Sequence, residues 1–125
     1  MTNLTNIKCQ LVIARGSGKF DFNNKLLDFN QLPIGAIWNA YWHRYKSNDG
    51  LSVCVMLPGT HVWQIDQRSS NCTLPNDDIH RCWIRHGILP DVTVDKLGNT
   101  CSAGSGSISI SGWHGMLTNG YLIKI

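Results

Sequence analysis

The stretch LSVCVMLPGTHVWQI, residues 51–65, decides the fold. Leu51, Val53, Val55 and Leu57 alternate with Ser52, Cys54 and Met56. That period of two is a strand pattern, because successive side chains of a β-strand point to opposite faces. Pro58-Gly59 fits the two central positions of a type II turn, where proline presets the first φ and glycine tolerates a positive second one. Val62–Ile65 then returns as the partner strand, so the whole reads as a β-hairpin.

Composition carries this reading to the rest of the chain. Its 125 residues include eight Asp and no Glu, four Ala, eleven Asn and twelve Gly. Strong helix formers are scarce and turn formers abundant. Apolar residues at 42%, with five Trp, suffice to bury a core, which argues against disorder. The expectation is a mainly β protein: one compact antiparallel β domain over residues 1–125, a sandwich or small barrel-like, with long loops and little helix.

Upstream of the hairpin, Ile7–Ala14 reads as a strand entering Arg15-Gly-Ser-Gly-Lys19. That turn is superficially like a phosphate loop but lacks the G-x-x-x-x-G-K-[ST] spacing, so a hairpin loop is expected. Asp21–Gly35 reads as irregular, with Leu26, Leu27 and Phe29 available for one helical turn that Pro33 limits. In Ile37–Tyr45, alternation sets Trp38, Ala40 and Trp42 on one strand face, and Asn48-Asp-Gly50 supplies a turn. Downstream, Asp66–Arg81 is a polar loop of a length uncommon in compact domains unless it has a function. Cys82–Ile84 and Val92–Asp95 read as short strands, Lys96–Asn99 as a turn, and Ile108 and Ile110 alternate with serines. Asn119-Gly120 is a strong two-residue hairpin signal for the final pair of strands.

Charge narrows the classes of partner. Charged residues are 15% of the chain and the net charge is +3, with Lys and Arg scattered rather than clustered. Nucleic acid is therefore not an expected partner. Met1–Gln10 is polar and the apolar run Leu11–Ala14 is too short for a secretory signal. No stretch reaches the roughly 18 apolar residues that span a bilayer, so no membrane partner is expected. Five cysteines, an odd number, argue against a complete disulfide framework and point to a reducing cytoplasm.

Residues able to do chemistry concentrate in Asp66–His86. One reading is a zinc site. His80 and Cys82 are two apart and share a strand face. Cys72, His86 and Cys101 could complete a shell of thiolate and imidazole, the ligands zinc accepts. The spacing C-x7-H-x-C-x3-H-x14-C matches no known finger or ribbon. A second reading is a cysteine nucleophile, Cys72 or Cys82, activated by His80 or His86 among Arg68, Arg81 and Arg85. The third is non-catalytic. Asp66, Arg68, Arg81 and Arg85 form a hydrogen-bonded network that pins the long loop, arginine being suited to bidentate carboxylate pairing. As a binding surface, the set is Asp66, Arg68, Asn71, His80, Arg81, Arg85, His86 and His114. The five Trp, at 38, 42, 63, 83 and 113, read mostly as core. A platform stacking carbohydrate or bases requires two of them exposed.

A resemblance covers Trp63–Tyr121. Its carrying residues are Trp63-Gln-Ile-Asp66, Arg68-Ser-Ser-Asn-Cys72, His80-Arg-Cys-Trp-Ile-Arg-His-Gly87, Thr93-Val-Asp-Lys96, Thr100-Cys-Ser-Ala-Gly-Ser-Gly-Ser-Ile108 and His114-Gly-Met-Leu-Thr-Asn-Gly120. Over these the chain resembles a group of small proteins encoded by tailed phages and prophages. More distantly it is similar to the DUF6527 type of domain, which also sets a Cys–aromatic strand before an Ala-Gly segment. The resemblance implies a phage or prophage origin and no particular activity. The resulting expectation is a phage-encoded β protein that binds a small molecule, or a viral or host protein, through the 66–86 loop. It would reside in host cytoplasm or the virion. The alternatives are a virion accessory protein (head decoration, connector or tail component), as a homo-oligomer or within the virion assembly, for which low charge and many Trp suit buried interfaces, and a small Cys/His- or zinc-dependent enzyme.

Overall fold

The computed structural model describes residues 6–67, 69, 72–74, 82–97 and 107–125. In chain order the strands are β1 (Asn6–Lys8), β2 (Gln10–Leu11), β3 (Ile13–Gly16), β4 (Lys19–Phe22), β5 (Lys25–Asp28), β6 (Ala36–Asn39), β7 (Val53–Leu57), β8 (His61–Gln64), β9 (Ile84–His86), β10 (Thr93–Asp95), β11 (Ile108–Ile110), β12 (Trp113–Thr118) and β13 (Tyr121–Lys124). Among the described residues one short 3-10 turn, Phe29–Gln31, accompanies them. The protein is mainly β, as its composition implies.

The strands form three sheets. A six-stranded sheet runs β1-β13-β12-β10-β9, with β11 also on β12. A four-stranded sheet runs β2-β6-β7-β8, and a three-stranded sheet runs β3-β4-β5. Pairing is antiparallel except between β2 and β6. The four-stranded sheet is the middle layer. One of its faces, with Ile37, Val53, Val55, Leu57 and Trp63, shares a core with Val94, Ile108, Trp113, Leu117 and Leu122 of the six-stranded sheet. The other face, with Ala36, Trp38, Cys54 and Met56, packs on Phe20 of the three-stranded sheet. All five residues of β7 are consequently buried. The alternation expected there is present, but both faces are covered, as happens only for a strand inside a stack of layers.

Ile7–Ala14 is not one strand. Residues 6–16 pass through all three layers: β1 pairs β13, β2 pairs β6 and β3 pairs β4. The two residues between these strands, Cys9 and Val12, are each 1% exposed. Their backbone amides stay satisfied, Cys9 N–H donating to Gly120 O at 2.7 Å and Val12 N–H to Ile37 O at 3.0 Å.

Four hairpins close on two-residue turns with both central residues at positive φ: Ser17-Gly18, Asn23-Asn24, Ser111-Gly112 and Asn119-Gly120. This is the type I′ geometry that matches strand twist. Arg15–Lys19 is thus a hairpin loop, as expected. The segment read as irregular, Asp21–Gly35, holds β4 and β5 joined at Asn23-Asn24. Asparagine tolerates the left-handed region, so the pair does what Asn-Gly does elsewhere. The 51–65 hairpin turns as read: Thr60 N–H donates to Leu57 O at 3.1 Å, and Gly59 has φ +88°. The strands read at Cys82–Ile84 and Val92–Asp95 are present as β9 and β10, the first lying two residues further on.

Gly115 shows how tightly the six-stranded sheet is packed. A Cβ there would lie 2.4 Å from Ile123 O and 2.5 Å from the Trp113 ring. The indole of Trp113 fills the space that a side chain at 115 would take. No helix among the described residues is long and apolar enough to cross a membrane.

Candidate functional site

Asp66 and Arg85, two residues of the expected loop surface, meet inside the protein. Arg85 Nη2 lies 3.2 Å from Asp66 Oδ2, and their side chains are 2% and 1% exposed. Asp66 Oδ2 also accepts Val53 N–H at 2.9 Å. Arg85 extends a second, bidentate pair to Asp49 at 2.8 and 3.0 Å. Burial pushes the Asp66 carboxyl upward against the pull of Arg85 and the Val53 amide. The hydrogen bond from Arg85 holds the Asp49 carboxyl below the usual range. Asp66 Oδ1 and Arg85 Nε have no hydrogen-bond partner among the described residues. Arg85 therefore ties the 47–51 loop to the middle sheet. The third reading pairs Asp66 and Arg85 to pin the 66–81 loop instead, and its other members, Arg68 and Arg81, lie outside the described residues.

Among the described residues, the other sequence-derived candidates make separate contacts. His86 Nε2 bonds Asp95 Oδ1 at 2.8 Å. Slight burial of Asp95 is outweighed by the Leu97 amide and His86, which hold its carboxyl low. His114 Nε2 bonds Ser107 Oγ at 2.6 Å. Among the described residues no carboxylate bonds His114, and no hydroxyl or thiol bonds His86. Neither pair is completed into a nucleophile, base and orienting acid. Cys82 is core, 2% exposed, and Cys72 packs against the same core from a half-buried position. Arg68, Asn71, His80, Arg81 and Cys101 lie outside the described residues. Among the described residues no three metal-binding side chains converge.

A different part of the chain builds a concave site. A cleft of about 640 Å³ opens between the β3–β4 turn and the turn after β6. Its floor is Phe20, Trp38, Cys54 and Val62 of the second core. One wall is Gly16-Ser17-Gly18; the other is Tyr41, Trp42 and His43, with Phe29 and Gln64 at the edge. Trp38, Phe20 and Phe29 form one chain of ring contacts at 5.2 and 6.3 Å between centroids. Tyr41, Trp42 and His43 form another, at 5.0 and 5.6 Å.

The strand face expected for Trp38, Ala40 and Trp42 stops short of Trp42. β6 ends at Asn39, whose Oδ1 accepts Ser52 N–H at 2.9 Å. The chain then turns, with His43 N–H donating to Ala40 O at 3.0 Å and Lys46 Nζ donating to Tyr41 O at 2.8 Å. Tyr41 and Trp42 are carried out of the sheet, 52% and 53% exposed, while the other four Trp are buried. The two exposed Trp that a stacking platform requires are therefore not found, and a tyrosine stands beside the single exposed Trp. Opposite, a Cβ on Gly16 would come within 3.0 Å of the Tyr41 hydroxyl. A glycine there lets the two walls approach.

The cleft is uncharged. No Asp, Glu, Lys or Arg lines it. The hairpin's own cations, Arg15 and Lys19, pair with Asp21 and Asp28. Cys54 Sγ lies 3.9 Å from His43 Nδ1. Burial, helped by Asp66, pushes the Cys54 thiol up to about 12. Burial and the charge of Lys46 lower the His43 imidazole. The pair is thiol and neutral imidazole near neutral pH, unlike an activated nucleophile, whose thiol is lowered. The sequence clue to this site was the Tyr41-Trp42 adjacency: neighbours on a strand cannot both face one core. The chain matches no family model, no curated protein and no solved structure.

Proposed function

We propose that this chain acts by binding, and that its ligand enters the Tyr41–Trp42 cleft. The supporting observation is two exposed aromatic side chains standing over an apolar floor, in a cleft within the roughly 300–1,000 Å³ range of small-molecule sites. The 66–86 segment contributes through its buried anchor. Arg85 and Asp66 brace the 47–51 loop, which follows directly on the turn bearing Tyr41 and Trp42. The neutral Cys54–His43 pair favours binding over thiol catalysis. A phage or prophage origin, proposed from the sequence resemblance, makes a viral or host molecule the source of the ligand, in host cytoplasm or on the particle. The virion-accessory alternative draws less from the tryptophans than their number suggests, since four are used in the chain's own core.

Ligand-observed NMR with a library of small ring compounds tests this reading. The wild-type protein should bind a subset that Trp42→Ala does not. Equal binding by the two proteins, or none by either, would overturn it.

A further inference from the structure

We infer that the cleft takes a neutral sugar ring. The inference rests on the binding reading above and adds the ligand class. Three observations carry it. The lining holds no charged side chain, and the adjacent Arg15 and Lys19 are occupied by Asp21 and Asp28. A phosphate, sulfate or carboxylate would lose its hydration there and meet no cation in the lining, the nearby Lys46 being bonded to the Tyr41 carbonyl.

Next, the exposed faces are aromatic. A sugar ring presents one face of polarised C–H groups, which suits the negative face of an indole or phenol ring. Trp42 and Tyr41 offer such rings at half exposure, each touching its neighbour edge to face. Contacts with neighbouring rings restrict their rotamers, so less freedom is lost on binding.

Finally, the polar groups on the walls are neutral and of both kinds. Ser17 and Tyr41 hydroxyls each donate and accept, as does the Gln64 amide. All three line the cleft, and neutral His43 adds one further imidazole nitrogen. Sugar hydroxyls likewise donate and accept. A purely apolar ligand would cover these groups without replacing their water, which is unfavourable. A planar base would use the aromatic wall and leave the Ser17 wall largely unengaged.

Calorimetric titration of the full chain tests this. The probes are glucose, galactose, mannose, N-acetylglucosamine and maltotriose, with glucuronate and adenosine as contrasts. At least one neutral sugar should bind saturably, and glucuronate at least about tenfold more weakly. Trp42→Ala should weaken the sugar about tenfold or more, the equivalent of losing one good stacking contact. Gln64→Ala leaves the aromatic wall in place and should weaken the sugar while sparing aromatic fragments. If adenosine or aromatic fragments bind the cleft and no sugar does, the sugar assignment is overturned while the binding reading stands. If no probe and no fragment binds, both fall.

Discussion

The thiol of Cys54 and the Nδ1 of His43 face each other at 3.9 Å where the floor of the cleft meets its aromatic wall, both in their neutral forms near neutral pH. A Cys–His contact in a concave site ordinarily suggests a nucleophile, but here burial sets the opposite protonation. Iodoacetamide near neutral pH should therefore label Cys54 far more slowly in the native protein than in denaturant. Peptide mapping by mass spectrometry reads this directly. Rapid native labelling at Cys54 would restore the enzymatic reading.

Removing one partner of the buried Asp66–Arg85 pair leaves a charge without its partner. Arg85→Ala should destabilise the fold by about 3–5 kcal/mol. Asp49 is 46% exposed at its side chain, so Asp49→Asn should cost less than about 1 kcal/mol. Chemical denaturation midpoints compare the two. Because Asp49 fastens the loop that follows directly on the aromatic wall, Asp49→Asn should also weaken ligand binding more than its stability cost suggests.

Acid exposes the same network. The Asp49 carboxyl is held below its ordinary value by Arg85. Its contribution is present above the unfolded value, near 4, and is lost as pH falls through the lower folded value. Asp66, pushed up by burial, works the other way: it lowers stability as pH rises from its ordinary value through the higher folded one. Subtracting the acid-denaturation profile of Asp49→Asn from that of wild type should isolate a loss confined to pH below about 4. Superimposable profiles would mean that Asp49 and Arg85 are not paired in solution.

Gly115 and Gly18 separate packing from backbone strain. A Cβ at 115 collides with Ile123 O and the Trp113 ring, whereas one at 18 meets nothing within 4 Å and only the positive φ of +73° opposes it. Gly115→Ala should cost about 1–3 kcal/mol or more by overpacking. Gly18→Ala should cost about 1–2 kcal/mol from backbone conformation alone. Urea midpoints in that order support the packing of Trp113 over Gly115.

The parts of the fold legible in the sequence are those written in local turn chemistry. Pro58-Gly59 and Asn119-Gly120 announce their hairpins because the backbone angles they need are rare for other residues. Asn23-Asn24 does the same less openly, so β4 and β5 went unread. The third layer was hidden because Cys54 and Met56, the weaker half of the β7 alternation, are themselves apolar enough to be buried. Residues 6–16 carry no local mark of the three sheets they join, since pairing with β13, β6 and β4 is long-range. Asp66 and Arg85 were found by residue type, which states what chemistry is available but not where it is buried. The cleft was missed because its walls lie on segments far apart in sequence.

Trp38 and Trp42 face opposite demands. Trp38→Ala empties the second core and should cost about 3–5 kcal/mol. Trp42→Ala, at an exposed site, should leave stability within about 0.5 kcal/mol of wild type while removing ligand binding. Thermal unfolding and calorimetry on the same two variants check both halves.

The most direct measurement is a backbone and side-chain NMR shift map of the wild-type protein titrated with its strongest binder from the sugar and ring-compound sets. The account expects saturable shifts at Ser17, Gly18, the Trp42 indole, His43 and Gln64, with the six-stranded sheet unmoved. Shifts centred instead on His86, Asp95, Ser107 and His114, with the cleft silent, would contradict it.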